Sequence, residues 1–258
     1  MARPASTRVI GELTFQEIAS SLRAASVLCL PMGSMEQHGP HLPLNTDTVL
    51  AEAFTRRIVE RWGEAYDLWQ LPAFAIGLSY EHTWASGTLS LSVAGMTAQL
   101  RDLAREIARS LPARNLMMIN GHGGNRGMLE ALGRELRSEF GLNLCTLHIG
   151  ALISPVTGSA APEIHAGKDE TSVMLALAPE LVRREATAKL KGPPDGDAVR
   201  ALILDPAASF AWSSDDRRIA EAGIIGDARA ASADHGRVII ERVVEAAGPI
   251  LKRLRETS

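Results

Sequence analysis

Histidines and carboxylates of this chain concentrate in three short, glycine-rich segments. The first runs from Met32 to Pro43 and continues to Asp47, the second surrounds His122, and the third begins at His165. The candidate ligands in them are Glu36, His38, His41, Asp47, His122, His165 and Glu170, so four of the seven histidines fall in these turns. Carboxylates and imidazoles together suit zinc, manganese or iron(II). The residue types therefore predict a divalent metal centre.

The spacing of four of these residues supports the prediction. Glu36 and His38 alternate, so in an extended segment both side chains point the same way. Asp47 lies where a helix is predicted to begin, and Glu170 lies in the first turn of another predicted helix. Both helix ends leave N–H donors free to fix a carboxylate.

Each residue also has a purely structural interpretation. A single histidine is more often a packing or surface residue than a ligand, by roughly four to one. Asp47 could only cap a helix, and Glu170 could only interact with a helix dipole. The turn at Gly121-His122-Gly123-Gly124 could be a simple turn or a phosphate site. No lysine follows it at Walker spacing, and no GxGxxG or GxSxG motif occurs, which disfavours nucleotide binding and a serine triad.

The elements that must position these segments alternate between apolar strands and helices. Strands are predicted at Val27 to Pro31, Leu68 to Ile76, Asn115 to Ile119 and Leu142 to Ile149. Helices are predicted at Thr14 to Ala25 (with a capping box from Thr14 to Glu17), Thr46 to Trp62, Val93 to Leu111, Arg126 to Phe140, Glu170 to Leu177 (with Asp169 as N-cap) and Ala231 to Leu254. The stretch from Gly192 to Ser214 is predicted to be a long loop.

Strands separated by long helices imply βαβ units. The predicted fold class is therefore α/β, a single domain over residues 1–258 with a central, mainly parallel sheet flanked by helices. Ligands of such sheets bind beyond the carboxyl ends of the strands. Two of the candidate segments directly follow predicted strands, so the motifs and the expected binding edge coincide.

Composition and charge narrow the classes of partner. The 258 residues include 27 basic and 30 acidic side chains, for a net charge of -3. Such a balance does not attract nucleic acid or an anionic membrane. No signal peptide and no apolar run of about 18 residues are visible. Cys29 and Cys145 lie in apolar runs and are interpreted as buried free thiols. We expect a cytoplasmic protein that acts on a small molecule.

At the three motifs the chain resembles the creatininase family of metal-dependent amidohydrolases. The resemblance rests on Gly33 to Pro43 with Asp47, on Asn120 to Asn125, and on His165-Ala166-Gly167 followed by Glu170-Thr171-Ser172. Supporting matches are Glu81-His82, Gly87-Thr88 and Gly226-Asp227. It covers nearly the whole chain.

The resemblance implies an α/β fold, two divalent ions (zinc, manganese or iron) in one site and a homo-oligomer, commonly a hexamer. It implies metal ligands at Glu36, His38, Asp47, His122 and Glu170, with Asp47 bridging both ions. His165, near the substrate, would transfer a proton, and Glu170 is expected to be a catalytic residue as well as a metal ligand. We expect substrate contacts from His82, Gly123, Gly124 and Glu163.

Two departures from creatinine-cleaving members stand out. Those members have a metal-binding glutamate two residues after the histidine of the second motif, where this chain has Gly124. They also have a tryptophan just before the histidine of the third motif, where Ala160 to Ile164 contains no aromatic residue. A creatinine clamp is therefore not expected.

The expected function is hydrolysis of a C–N bond in a small amide or cyclic amide. A water shared by two ions would ionise near neutral pH, and the hydroxide would attack the carbonyl carbon. His165 would protonate the leaving nitrogen. The family also includes a C–C hydrolase of an oxidised inositol, peptidases of a modified peptide and formamide hydrolases of cofactor biosynthesis, which stay as alternatives. The non-enzyme alternative, raised by Gly124, is a metal-binding protein without activity.

Overall fold

One parallel sheet forms the centre of the molecule. The structure, a computed structural model, describes residues 7–157 and 162–257. Its strands are β1 (Val27–Met32), β2 (Leu68–Gln70), β3 (Asn115–Asn120) and β4 (Asn143–His148), in the order β2-β1-β3-β4. Each neighbouring pair is parallel. The predicted α/β class is confirmed.

Helices fill the connections between the strands. In the described part of the chain they are α1 (Phe15–Ser21), α2 (Thr46–Tyr66), α3 (Val93–Ser110), α4 (Arg126–Phe140), α5 (Ile149–Thr157), α6 (Lys168–Leu177), α7 (Arg184–Thr187), α8 (Gly196–Leu202) and α9 (Ala233–Glu256). The predicted capping box is present: the Thr14 hydroxyl accepts from Glu17 N, and the Glu17 carboxylate accepts from Thr14 N at 2.8 Å. No helix among these residues is long and apolar enough to span a membrane.

The buried strands separate two apolar cores. Val27 and Cys29 of β1 face the core built with α2, α5, α6 and α9, whereas Leu28 and Leu30 face the core built with α3 and α4. Successive strand residues point to opposite faces. A strand covered on both faces therefore needs apolar residues at every position, as β1 has. Phe54 of α2 is completely buried in the first core, where truncation to alanine costs about 3–5 kcal/mol.

The second strand is shorter than predicted. It ends at Gln70 rather than Ile76, and Pro72, which has no N–H to donate, follows two residues later. Beyond it, Phe74 makes only an isolated parallel bridge to Met32.

Three helical details also differ from prediction. The predicted loop from Gly192 to Ser214 contains α8, whose N-cap Asp195 accepts from Asp197 N. Helix α5 continues directly from β4, where no helix was predicted. Asp169 is not the N-cap of α6, because the helix begins two residues earlier than predicted, at Lys168, with Gly167 as N-cap. The Asp169 carboxylate instead accepts from His235 Nε2 at 2.9 Å.

The sheet brings the first two motifs to the same edge. Met32 at the carboxyl end of β1 pairs with Asn120 at the carboxyl end of β3. Asn125 links the segments that follow, because its Nδ2 donates to Gly33 O at 3.1 Å and its Oδ1 accepts from Leu78 N at 3.0 Å. The asparagine that closes the second motif thus fixes the geometry of the edge.

Candidate metal centre

A buried cluster of carboxylates and imidazoles occupies this edge. Three groups of possible ligand atoms each lie within 4.8 Å of one another: Glu36 with His38 and His165, Glu36 with Asp47 and His122, and His38 with Asp47 and Glu170. These groups contain all five predicted metal ligands together with His165. His41 belongs to none of them. Asp47 is shared by the His122 group and the Glu170 group, which is the arrangement that a bridging carboxylate requires.

Local backbone structure aims the two helix-borne carboxylates. Asp47 lies in the first turn of α2 and is 2% exposed. Glu170 lies in the first turn of α6, and its Oε2 accepts from Ala166 N at 2.5 Å. Ala166 has a φ of 53°, a left-handed conformation that is uncommon for a residue with a Cβ. Such strain clusters at functional sites, and here it directs the Ala166 N–H at the Glu170 carboxylate.

Backbone carbonyls determine which nitrogen of His38 and of His122 faces the cluster. His38 Nδ1 donates to Glu36 O at 3.1 Å, and His122 Nε2 donates to Leu78 O at 2.7 Å. A carbonyl only accepts, so each of these nitrogens carries the proton of a neutral ring. His38 Nε2 and His122 Nδ1 then present lone pairs to Asp47, at 3.3 Å from Oδ1 and 3.1 Å from Oδ2.

The same rule fixes His165. Its Nε2 donates to Gln37 O at 2.7 Å, so its Nδ1 lone pair faces Glu36 Oε1 at 3.5 Å. The His165 ring stacks on the His82 ring, with centroids 4.1 Å apart. His82 Nε2 lies 3.3 Å from the same Glu36 oxygen.

Several buried atoms of the cluster have no hydrogen-bond partner in the described structure. They are both carboxylate oxygens of Glu36, Nε2 of His38 and Oδ2 of Asp47; Nδ1 of His41, outside the ligand groups, has none either. No Lys or Arg of the described chain forms an ion pair with Glu36, Asp47 or Glu170. An unsatisfied buried polar atom costs about 1–3 kcal/mol, and more when it is charged. Divalent cations between these lone pairs would satisfy them, so the residues fit a metal site.

Electrostatics leads to the same conclusion. Burial disfavours a charged His122, but the Glu36 and Asp47 carboxylates outweigh it and raise the His122 pKa well above its ordinary value. Burial likewise opposes a charged His38, yet Asp47 raises the His38 pKa to about 9. Burial also raises the pKa of Glu170, to about 7. Protons thus collect in the cluster where positive charge is missing, and divalent ions would supply that charge.

The outer histidines behave differently. Burial is the largest cause that lowers the pKa of His82 to about 4, and burial also lowers the pKa of His165 well below its ordinary value. Both rings are therefore neutral near pH 7. The neutral His165 turns a lone pair to the cluster.

Of the four residues predicted to contact substrate, His82 enters the cluster. A Cβ on Gly123 would meet nothing within 4 Å, so that side of the turn is open. A Cβ on Gly124 would lie 2.5 Å from His122 Nε2, so that side is closed. The Glu163 carboxylate is used within the fold, where it accepts from Lys168 N at 2.7 Å and Asp227 N at 3.3 Å.

Two residues that were not predicted hold His82 in place. The Gln37 Nε2 lies 3.0 Å from His82 Nδ1 and 3.2 Å from Ser214 Oγ, and the Ser214 hydroxyl lies 2.7 Å from His82 Nδ1. Trp84 Nε1 donates to the same hydroxyl at 2.8 Å. Gln37 sits inside the first motif, so its position was a usable signal. Ser214 carried none, since it lies at the end of a predicted loop.

One cavity of the described structure borders this site. A small cavity of about 60 Å³ is lined by Ile164, His165, Gly167 and Glu170 among others. A larger cleft of about 550 Å³ is lined by residues such as Asn115 and Asn143, which begin β3 and β4. That cleft is therefore at the opposite edge of the sheet and contains none of the candidate ligands.

Comparison with known proteins connects this site to one family. The family model described as "Creatininase: Creatinine amidohydrolase" matches residues 11–251. A mycofactocin precursor peptide peptidase of Mycobacterium tuberculosis is 34% identical over 247 residues, covering 92% of this chain and 89% of the relative. The creatinine amidohydrolase of Pseudomonas putida is 32% identical over 262 residues, covering 92% and 93%.

Solved structures agree with the sequence comparison. A mutant creatininase complexed with creatine superposes with a TM-score of 0.76 at 29% identity, over 98% of this chain and 99% of the other. Related solved creatininases are described as a Zn-Zn type and as a Mn form. The matched span contains every residue of the buried cluster, and the shared sheet places them at its binding edge. This chain belongs to the creatininase family of hydrolases.

Proposed function

We propose that this protein is a two-metal hydrolase that cleaves the C–N bond of an amide, with Glu36, His38, Asp47, His122 and Glu170 as metal ligands. The observation that carries the proposal is the set of buried, unpartnered atoms on Glu36, His38 and Asp47. Without cations these lone pairs would face one another across 3.1–3.3 Å.

Divalent ions bound there would act as Lewis acids and lower the pKa of a coordinated water from about 15.7 to about 7. Residues of the chain would hold both ions, transfer a proton and leave access for the substrate. Asp47 offers one oxygen to the His38 side and the other to the His122 side. His165 stands next to Glu36 with a free Nδ1, from where it would take a proton and pass it to the leaving nitrogen. Gly123 leaves the approach open to substrate.

The relatives favour C–N over C–C cleavage. One is described as a peptide peptidase and the other as an amidohydrolase, and both reactions break a bond between a carbonyl carbon and nitrogen. The hydrolase of a cyclic diketone is accordingly the weaker alternative. Within C–N cleavage, a peptide substrate is the second candidate to a small amide or cyclic amide, because the peptidase has the higher identity of these two relatives.

Product analysis on the purified protein tests the proposal. Lactams, formamides, short peptides and a cyclic diketone would each be incubated with metal-loaded and chelated protein. We expect turnover of an amide, lost on chelation and restored by zinc or manganese. Full turnover after exhaustive chelation, or cleavage of the diketone alone, contradicts it. The homo-oligomer, a hexamer by family resemblance, is also a proposal, and light scattering on the same sample tests it.

A further inference from the structure

A carboxylate outside the predicted ligand set lies against the cluster. Glu81 Oε1 is 3.8 Å from His122 Nε2, and Glu36 Oε2 is 3.3 Å from the same nitrogen. The Glu81 side chain is only 18% exposed. Glu81 belongs to none of the three groups of possible ligand atoms, but its carboxylate and that of Glu36 both approach Nε2 of His122, the nitrogen that donates to Leu78 O.

Contacts on both sides of Glu81 hold its short helical turn, Tyr80–His82, against the site. Leu78 O accepts from His122 Nε2 at 2.7 Å, and His82 Nε2 lies 3.3 Å from Glu36. The backbone carbonyl of Glu81 accepts from Ser214 N at 3.0 Å. These contacts fix the backbone at position 81 beside His122.

Gly124 leaves room for this carboxylate. A Cβ at position 124 would lie 2.7 Å from Glu81 Oε1 and 2.3 Å from Leu78 O. Real Cβ atoms do not approach other atoms so closely, so any side chain at position 124 would displace the 78–82 turn. The space that a side chain at position 124 would fill is thus taken by Leu78 O, the His122 ring and the Glu81 carboxylate.

The charge of the site makes this placement costly unless a cation is present. Glu81 brings a fourth carboxylate to Glu36, Asp47 and Glu170, and no Lys or Arg of the described chain forms an ion pair with any of the four. Like charges that converge in a buried place repel and favour protonation. Cations between the carboxylates would reverse this effect.

We infer that Glu81 is an additional carboxylate ligand of the metal site, binding one of its two divalent ions and taking the place left open by Gly124. The inference rests on the proposed two-metal function. It assigns a ligand from the 78–82 turn, a segment outside the three motifs that supply the predicted ligands. It also means that Gly124 does not indicate an incomplete metal site.

Metal titration of Glu81→Gln tests the assignment, because glutamine has nearly the same shape without the charge. Glu130→Gln is the matched control, since Glu130 pairs with Arg126 on the surface of α4, outside the ligand groups. Zinc affinity would be measured against a chromophoric chelator, and coordination would be followed by the absorption spectrum of the cobalt(II) form. We expect wild type and control to bind two ions. Glu81→Gln should bind the second ion at least about 10-fold more weakly, with a changed cobalt(II) spectrum.

Each other outcome has a definite meaning. Unchanged affinity for both ions in Glu81→Gln overturns the inference and leaves the proposed function intact. Weaker binding with an unchanged cobalt(II) spectrum also overturns it, because Glu81 would then only orient His122. A wild-type protein that binds no zinc refutes the metal centre itself. Should Glu81→Gln fail to fold, Glu81→Asp decides the matter: its shortened carboxylate should weaken the second ion, and wild-type affinity contradicts a ligand role.

Discussion

Replacing Asp47 tests the architecture of the site more directly than any other change. Asp47→Asn keeps the size of the side chain but removes its charge and one acceptor oxygen. In the structure one carboxylate oxygen faces His38 Nε2 at 3.3 Å and the other faces His122 Nδ1 at 3.1 Å. Only a carboxylate offers two acceptor oxygens to two ions while offsetting their charge. The substitution therefore leaves one half of the site without its Asp47 oxygen and removes the negative charge that both halves share.

The effect of replacing Asp47 can be compared with the effect of replacing His41, a buried histidine of the same motif. It is as deeply buried as the ligands, but it belongs to none of the ligand groups. Its Nε2 lies 2.8 Å from Thr171 Oγ1, and that hydroxyl donates to Ala166 O at 3.4 Å. Ala166 in turn donates its N–H to Glu170. His41 thus reaches a candidate ligand only through two intermediate residues, and loss of such a partner costs about 10- to 100-fold in metal affinity or activity.

Asp47→Asn should exceed that range and release at least one ion, whereas His41→Ala should be weakened and rescued by added metal. Asp169→Asn is the matched control, because Asp169 is a buried carboxylate adjacent to Glu170 that pairs with His235 instead of the cluster. Metal content after dialysis and turnover at saturating metal would be measured for all three variants, with thermal melting to verify folding. The ligand assignment is wrong if His41→Ala loses its metal irreversibly while Asp47→Asn keeps both ions.

Three further predictions follow from the same site and fold. Chelation should lower the melting temperature by roughly 5–10 °C. A ligand at 100 times its Kd adds about 2.7 kcal/mol to the free energy of unfolding, and each kcal/mol shifts the melting temperature of a domain of this size by about 2–4 °C. Equal melting temperatures of chelated and zinc-loaded protein in calorimetry would count against a metal centre. Creatinine should be a poor substrate, because the sequence has no aromatic residue from Ala160 to Ile164, and turnover of roughly 10 per second or more in a product assay would refute this. Burial raises the pKa of Cys29 to about 12 from 9.0. At pH 9 the thiol of the native protein should therefore stay protonated and unlabelled by iodoacetamide, whereas Cys29 of the unfolded chain should react. Rapid labelling of native Cys29, detected by mass spectrometry, would contradict its burial.

The sequence predicted the fold where its signals were local and repeated. The continuous apolar run of β1 indicates burial on both faces, and the structure confirms it. The end of β2 was missed because one proline, Pro72, outweighed the apolar residues after it. Asp169 was taken for a helix cap because its real partner, His235, is 66 residues away. Ser214 was missed for the same reason: its contact with Gln37 spans 177 residues, and no local pattern records such a distance.

Residue types and spacing gave the candidate ligands, but they could not determine which atoms those ligands present. The protonated nitrogens of His38, His122 and His165 are set by the carbonyls of Glu36, Leu78 and Gln37. Since these acceptors belong to the backbone, substitution of a side chain does not remove them, and the orientation of the three rings depends only on the path of the chain. His82 differs, because the side chains of Gln37 and Ser214 hold it. His38, His122 and His165 are therefore fixed by the fold common to the family, whereas His82 is the histidine whose orientation a few substitutions could change.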